Sequence, residues 1–283
     1  MKKVAFSSMA ILLATACATG GPVTTAGGPS IPQPIIQPAD RGPWNFSYRS
    51  DTLRYQVNRS AAIESQVDSG VHREISTNNT HEILSLVVLG DTVRYTAAVD
   101  SFSTANQGLV GSVQPVSLPV EISGFIDSLG LNTDSTATDE HCNPVQSSLE
   151  SDIRNLLISL PPQLSPGTSW RDSTLAITCL GSVPARATII RRFLVVGATS
   201  YANESAIAIQ RTDSISAEGE GRQHQHQLTI AISGTGSATY YISTTRSRLV
   251  HLATSEDLSF IVKSASRTDH LHESVKEEFT LLP

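Results

Sequence analysis

Trp44-Asn45-Phe46-Ser47-Tyr48-Arg49 and, after a short polar step, Leu53-Arg54-Tyr55-Gln56-Val57 decide the fold of this chain. Large apolar side chains stand at every second position, with polar ones between them. Successive strand side chains point to opposite faces, so a period of two describes a strand with one face buried and one wet. Val93, Tyr95, Ala97 and Val99 repeat the pattern. A polar-apolar stretch over 67–75 and a more continuous apolar run over 81–89 lie between these, the latter ending at Gly90-Asp91. Further strands are expected at 111–116 and 119–125, then a polar surface loop over 127–140. The second half reads as strands at 173–180, 185–197, 205–216, 222–233, 236–244, 248–255, 258–268 and 272–281. Gly219-Glu220-Gly221 and Gly234-Thr235-Gly236 are read as turns. Many strands joined by short polar turns form an antiparallel meander. A series this long predicts a mainly β fold: a large curved antiparallel sheet or half-barrel.

One helix is expected, over 143–160. Asn143 is a good N-cap, Pro144 suits the first helical position, and Gln146 stands where a capping-box partner belongs. Val145, Leu149, Ile153, Leu156, Leu157 and Leu160 form an apolar stripe at three-to-four spacing. Glu150 and Asp152 are read as early acids favoured by the helix dipole. Pro161-Pro162 stops the helix. Its stripe must cover something, and the concave face of the sheet is the natural partner. Pro166-Gly167 then turns the chain into a strand in which Trp170 closes one end of the core.

The N-terminal segment carries an address rather than a fold. Lys2 and Lys3 precede a short apolar run from Val4 to Ala16, and Leu13-Ala14-Thr15-Ala16-Cys17 ends in small residues and a cysteine. This is the layout of a secretory signal peptide. The run is too short for a spanning helix, which needs about 20 apolar residues. A cysteine directly after such a run resembles the bacterial lipoprotein signal. That resemblance implies cleavage before Cys17 and acylation of its thiol. The pattern prefers Leu three residues before the cysteine, where this chain has Ala14, with Leu13 one step earlier. An ordinary signal peptide cut after Ala14-Thr15-Ala16 is the other reading. Ala18 follows the cysteine, and by the same resemblance this implies sorting to an outer membrane. Residues 18–42 are rich in Gly, Pro, Thr and Ser, a composition that reads as a spacer. The remainder, 43–283, is expected to be a single β-rich domain.

Composition narrows the partners. A net charge of −6 and a pI near 5.7 lack the basic footprint that nucleic acid requires. With Cys17 assigned to acylation, Cys142 and Cys179 remain. In an oxidising compartment an even pair is most simply a disulfide, worth roughly 3–4 kcal/mol on the chain-entropy view; two buried thiols are the alternative. Histidine offers the only metal candidates: His224 with His226, and His270 with His272, each pair two apart and so on one strand face. The interleaved Gln223, Gln225 and Gln227 favour a solvated face instead, so no metal and no cofactor is assigned. Nucleophile-elbow, phosphate-loop, zinc-helix and calcium-loop patterns are absent, and the chain is read as not an enzyme.

In architecture alone, and on no shared motif, the expected fold resembles the lipoprotein-carrier half-barrels of the bacterial envelope. There, helices line a concave sheet that holds an acyl chain. The resemblance implies an anchored envelope protein that binds a lipid or other apolar ligand in the sheet concavity. The alternative is a structural lipoprotein with a filled core that docks to another envelope protein. Both place the chain at the membrane through a lipidated N-terminus.

Overall fold

The computed structural model describes residues 42–67, 73–89, 93–107, 118–127, 130–133, 144–180, 183–223 and 226–283. The chain enters through β1 (Trp44–Asn45) and then runs β2 (Asp51–Val67), β3 (Arg73–Leu89), β4 (Val93–Gln107), β5 (Val120–Asp127) and β6 (Gly130–Thr133). The helix α1 (Pro144–Leu156) follows, then β7 (Gln163–Leu164), β8 (Ser169–Leu180), β9 (Val183–Tyr201), β10 (Glu204–Gln223), β11 (His226–Ser243), β12 (Leu249–Lys263) and β13 (Thr268–Leu281). Eleven strands form one antiparallel sheet in the order β6-β5-β4-β3-β2-β13-β12-β11-β10-β9-β8, and β1 pairs with β7 beside it. The last strand, β13, pairs with the first long one, β2, and so joins the two halves of the chain. The sheet curves until its edge strands β6 and β8 approach each other, and α1 lies against β4, β5 and β8. The mainly β half-barrel with a single helix among the described residues matches the sequence expectation.

Three expectations need correction. The segment read as 205–216 is part of the longer β10, and the one read as 222–233 straddles the end of β10 and the start of β11, because neither glycine cluster is a turn: Gly219 and Gly221 lie in β10, and Gly234 and Gly236 in β11. A Cβ on Gly219 would meet the Pro184 carbonyl oxygen at 2.3 Å, and one on Gly234 would meet the Asp257 carbonyl oxygen at the same distance. Glycine is present because the curled sheet brings a neighbouring backbone that close. The real β9–β10 turn is Ala202-Asn203, two residues with positive φ in the manner of a type I′ hairpin. The region 127–140, read as a loop, contains the edge strand β6. The helix also stops at Leu156 rather than 160. The Tyr48 hydroxyl accepts from the Ile158 amide at 2.9 Å and donates to the Ile158 carbonyl at 2.8 Å, taking both backbone groups a further turn would use.

The main core fills one end of the half-barrel. Leu149, Ile153, Leu156 and Leu157 from the helix region meet Tyr55, Val57, Leu84, Leu86, Tyr95, Ile209, Tyr240, Leu252 and Phe279 from the sheet. Trp170 stacks on Phe193 with ring centroids 4.8 Å apart, and joins this core as expected. A second, smaller apolar cluster occupies the other end of β9–β12: Val183, Ala185, Ala187, Ala217, Ile230, Ile232 and Phe260.

Candidate functional site

Between the two apolar ends, two adjacent rows across the concave face carry charge. The strand register sets them. In one row Arg59, Glu277, Thr254, Ala238, Arg211, Phe193 and Trp170 stand side by side across seven strands. In the next stand Ala61, Val275, Glu256, Gly236, Asp213, Arg191 and Asp172. The polar face of α1 closes over both rows. Its apolar stripe packs into the core, which turns Ser148, Asp152 and Asn155 toward the belt.

Arg59 is the hub at one side. Its guanidinium donates to Glu277 Oε1 at 2.5 Å, to Asp152 Oδ1 at 2.7 Å, to Ser148 Oγ at 3.0 Å and to Glu82 Oε1 at 3.3 Å. Three carboxyls thus surround one cation. Burial pushes the Asp152 carboxyl well above the ordinary carboxylate range, and the Arg59 guanidinium offsets part of that rise. Burial raises Glu82 in the same way. Glu150 and Asp152 are therefore not early acids favoured by the helix dipole. The first turn of the helix has no acid, and both side chains are buried against arginine: Asp152 on Arg59, Glu150 on Arg154 at 3.4 Å.

Arg191 and Arg211 occupy the other side. Arg191 holds both oxygens of Asp172 at 2.8 Å and donates to the Arg154 carbonyl at 2.7 Å. Arg211 pairs with Asp213 Oδ2 at 2.8 Å, donates to Asn155 Oδ1 at 2.9 Å, and bonds the Tyr240 hydroxyl. Such paired guanidinium–carboxylate contacts are the strong form of the ion pair.

Beside this belt lies a cavity of about 200 Å³. Ser147, Ser151, Arg154 and Asn155 of α1 form one wall. Arg191, Arg211, Asp213, Glu256 and Glu273 form the charged floor, and Ile189, Ile215, Ala217, Ile232, Leu258 and Phe260 form the apolar side that continues into the second cluster. Among the described residues no hydrogen bond or ion pair reaches the carboxyls of Glu256 and Glu273, and Asp213 Oδ1 is buried without a partner. Burial pushes Glu256 up to about 7. Glu277 and Asp213 reinforce the rise, and the Arg211 and Arg59 guanidiniums oppose it. Burial also raises Glu273 and Asp213. A wider depression of about 1020 Å³ lies on the outward face of the same strands. Exposed Arg186, Glu218, Glu220 and Lys263 line it, which is the composition of a solvated surface.

The residues singled out from sequence fall elsewhere. Cys17 and Cys142 lie outside the described residues, as does His224; Cys179 lies in β8, its backbone opposite Pro184. No disulfide occurs among the described residues. His226 begins β11 and is exposed, whereas His270 and His272 lie on β13, and β12 separates the two strands. His270 is exposed, and His272 stands 3.5 Å from Asp257. The histidine pairs are therefore not brought together. Among the described residues no group of three or more His, Cys, Asp or Glu is placed to hold a metal ion. The belt escaped the sequence reading, although one signal was present. Arg211 and Asp213 continue the inward period-two series Ile207, Ile209, Ile215, Ala217, where a buried face calls for apolar residues. No family model matches this chain and no curated protein matches it, so its site is read from its own geometry.

Proposed function

We propose that this chain is an envelope lipoprotein, tethered to the outer membrane through acylated Cys17, that binds an amphipathic ligand in its sheet concavity without catalysing a reaction. The observation that carries the reading is the cavity between α1 and the second apolar cluster. It has apolar residues on one side and a few convergent polar groups on the other, which is how small-molecule sites are built. The arginines of the belt support binding over chemistry, since each is tied to a carboxylate that fixes its place.

The filled end of the half-barrel favours a second reading: a structural module that docks to another envelope protein. Native mass spectrometry of the chain purified gently from its membrane separates the two. A small co-purifying mass, lost on denaturation, supports binding; a bare chain across several preparations contradicts it. Incorporation of labelled fatty acid, lost in Cys17→Ser, tests the tether separately.

A further inference from the structure

We infer that the cavity beside α1 takes the positive end of its ligand: a protonated amine on a short aliphatic chain, held by Glu256, Glu273 and Asp213. This rests on the binding role proposed above and specifies its ligand. Arg154 is paired with Glu150, Arg191 with both oxygens of Asp172, and Arg211 with Asp213 Oδ2. Each guanidinium lining the cavity already has a carboxylate partner, although Arg154 Nε is itself buried without an acceptor. With Glu150 and Asp172 included, five carboxyls face these three guanidiniums. Glu256 and Glu273 meet no donor among the described residues, and Asp213, buried to the same degree as Arg211, keeps Oδ1 unpartnered.

The register converges these three groups. Glu256 and Asp213 flank Gly236 in one row, and glycine leaves the space between them open; a Cβ there would meet Asp213 Oδ2 at 2.9 Å. Glu273 stands on the neighbouring strand, one row nearer the apolar side, diagonal to Glu256. Asp213 Oδ1 is a buried acceptor without a donor, which costs roughly 1–3 kcal/mol; Glu256 and Glu273 are half-buried beside it, and an ammonium has three donors, one for each carboxyl. The volume sets the size. About 200 Å³ is small for a ligand site. The ligand therefore carries a compact head, and its chain runs along Ile215, Ile232 and Leu258.

The test compares hexylammonium, hexanol and hexanoate by isothermal titration calorimetry. It uses the full chain in phospholipid nanodiscs, with empty nanodiscs subtracted. At pH 7.5 hexylammonium is expected to bind about tenfold tighter than hexanol, the effect of one partly desolvated ion pair, with hexanoate weakest. The double variant Glu256→Gln, Glu273→Gln brings hexylammonium to the level of hexanol and leaves hexanol unchanged. Between pH 5 and pH 8 hexylammonium, charged throughout, gains affinity as Glu256 ionises, while hexanol stays level. Equal binding of hexylammonium and hexanol overturns the inference and leaves the binding role standing. Tightest binding by hexanoate overturns it in favour of the arginines. Binding of none of the three removes both readings.

Discussion

The same strands β9–β13 build two different ends of one half-barrel. At the end covered by α1, side chains such as Ile153, Ile209, Tyr240 and Phe279 are wholly buried, and helix and sheet interlock. At the other end the inward residues are smaller, largely Ala and Ile. Ile189, Leu228, Leu258 and Val262 are only partly covered, and a cavity separates them from the helix. The charged belt stands between. A curved sheet with one helix can fill only part of its concavity. The rest is available for a ligand, and the belt marks the boundary where packing gives way to recognition.

Breaking the belt has the largest expected effect. Arg59→Met leaves Glu82, Asp152 and Glu277 gathered without their cation. Removing one partner of a buried ion cluster costs about 3–5 kcal/mol. Urea unfolding at pH 7 should show that loss, and a smaller one as pH falls, because burial raises Glu82 and Asp152 and so favours their neutral forms.

The two ends then separate by truncation. Ile153→Ala removes a fully buried side chain from the filled end and should cost about 2–4 kcal/mol. Ile215→Ala enlarges a cavity that already exists, beside a half-buried side chain, and should cost about 1 kcal/mol. Equal losses in urea would erase the distinction between filled and open ends.

The pH dependence of stability sharpens the comparison further. The folded Glu256 carboxyl titrates at about 7, above its unfolded value of 4.5. The folded state therefore binds the extra proton. That stability is fully present below about pH 4.5 and is lost as pH rises through 7. Glu256 alone accounts for up to about 3 kcal/mol between pH 4.5 and pH 8, and raised Asp152, Glu82 and Glu273 act in the same direction. The chain should be more stable at pH 5 than at pH 8 by thermal unfolding. Glu256→Gln should flatten the profile by raising stability at pH 8.

The smallest effect lies at the rim of the filled end. Ala202 sits at φ 49°, a conformation in which a Cβ costs roughly 1–2 kcal/mol. Ala202→Gly removes that cost but gains chain entropy when unfolded, so a net gain of under about 1 kcal/mol is expected in the melting curve.

How much of this was legible in the sequence differs between the ends as well. The filled end could be read, because Leu53-x-Tyr55-x-Val57 and the Leu149, Ile153, Leu156 stripe follow simple periods and pack by simple apolar burial. The open end could not. Its defining glycines, Gly219 and Gly234, take their meaning from a neighbouring backbone that curvature brings close, and in sequence they look like turns. The belt was half legible. Arg211 and Asp213 break an inward apolar series, which marks them as buried charge. That Arg59 meets Glu82, Asp152 and Glu277 depends on a register linking three distant segments, and no local pattern announces it. In sequence the histidines read as a solvated face, and strand order sets β12 between His226 in β11 and His270 and His272 in β13.

The most direct test of the contrast is methyl-resolved NMR of the full chain in nanodiscs as hexanol is added. The cavity account predicts that Ile189, Ile215, Ile232 and Leu258 methyls shift in a saturable way, while Ile153, Ile207, Ile209 and Leu252 stay fixed. Shifts confined to the filled end, or no saturable shift at either end, would contradict it.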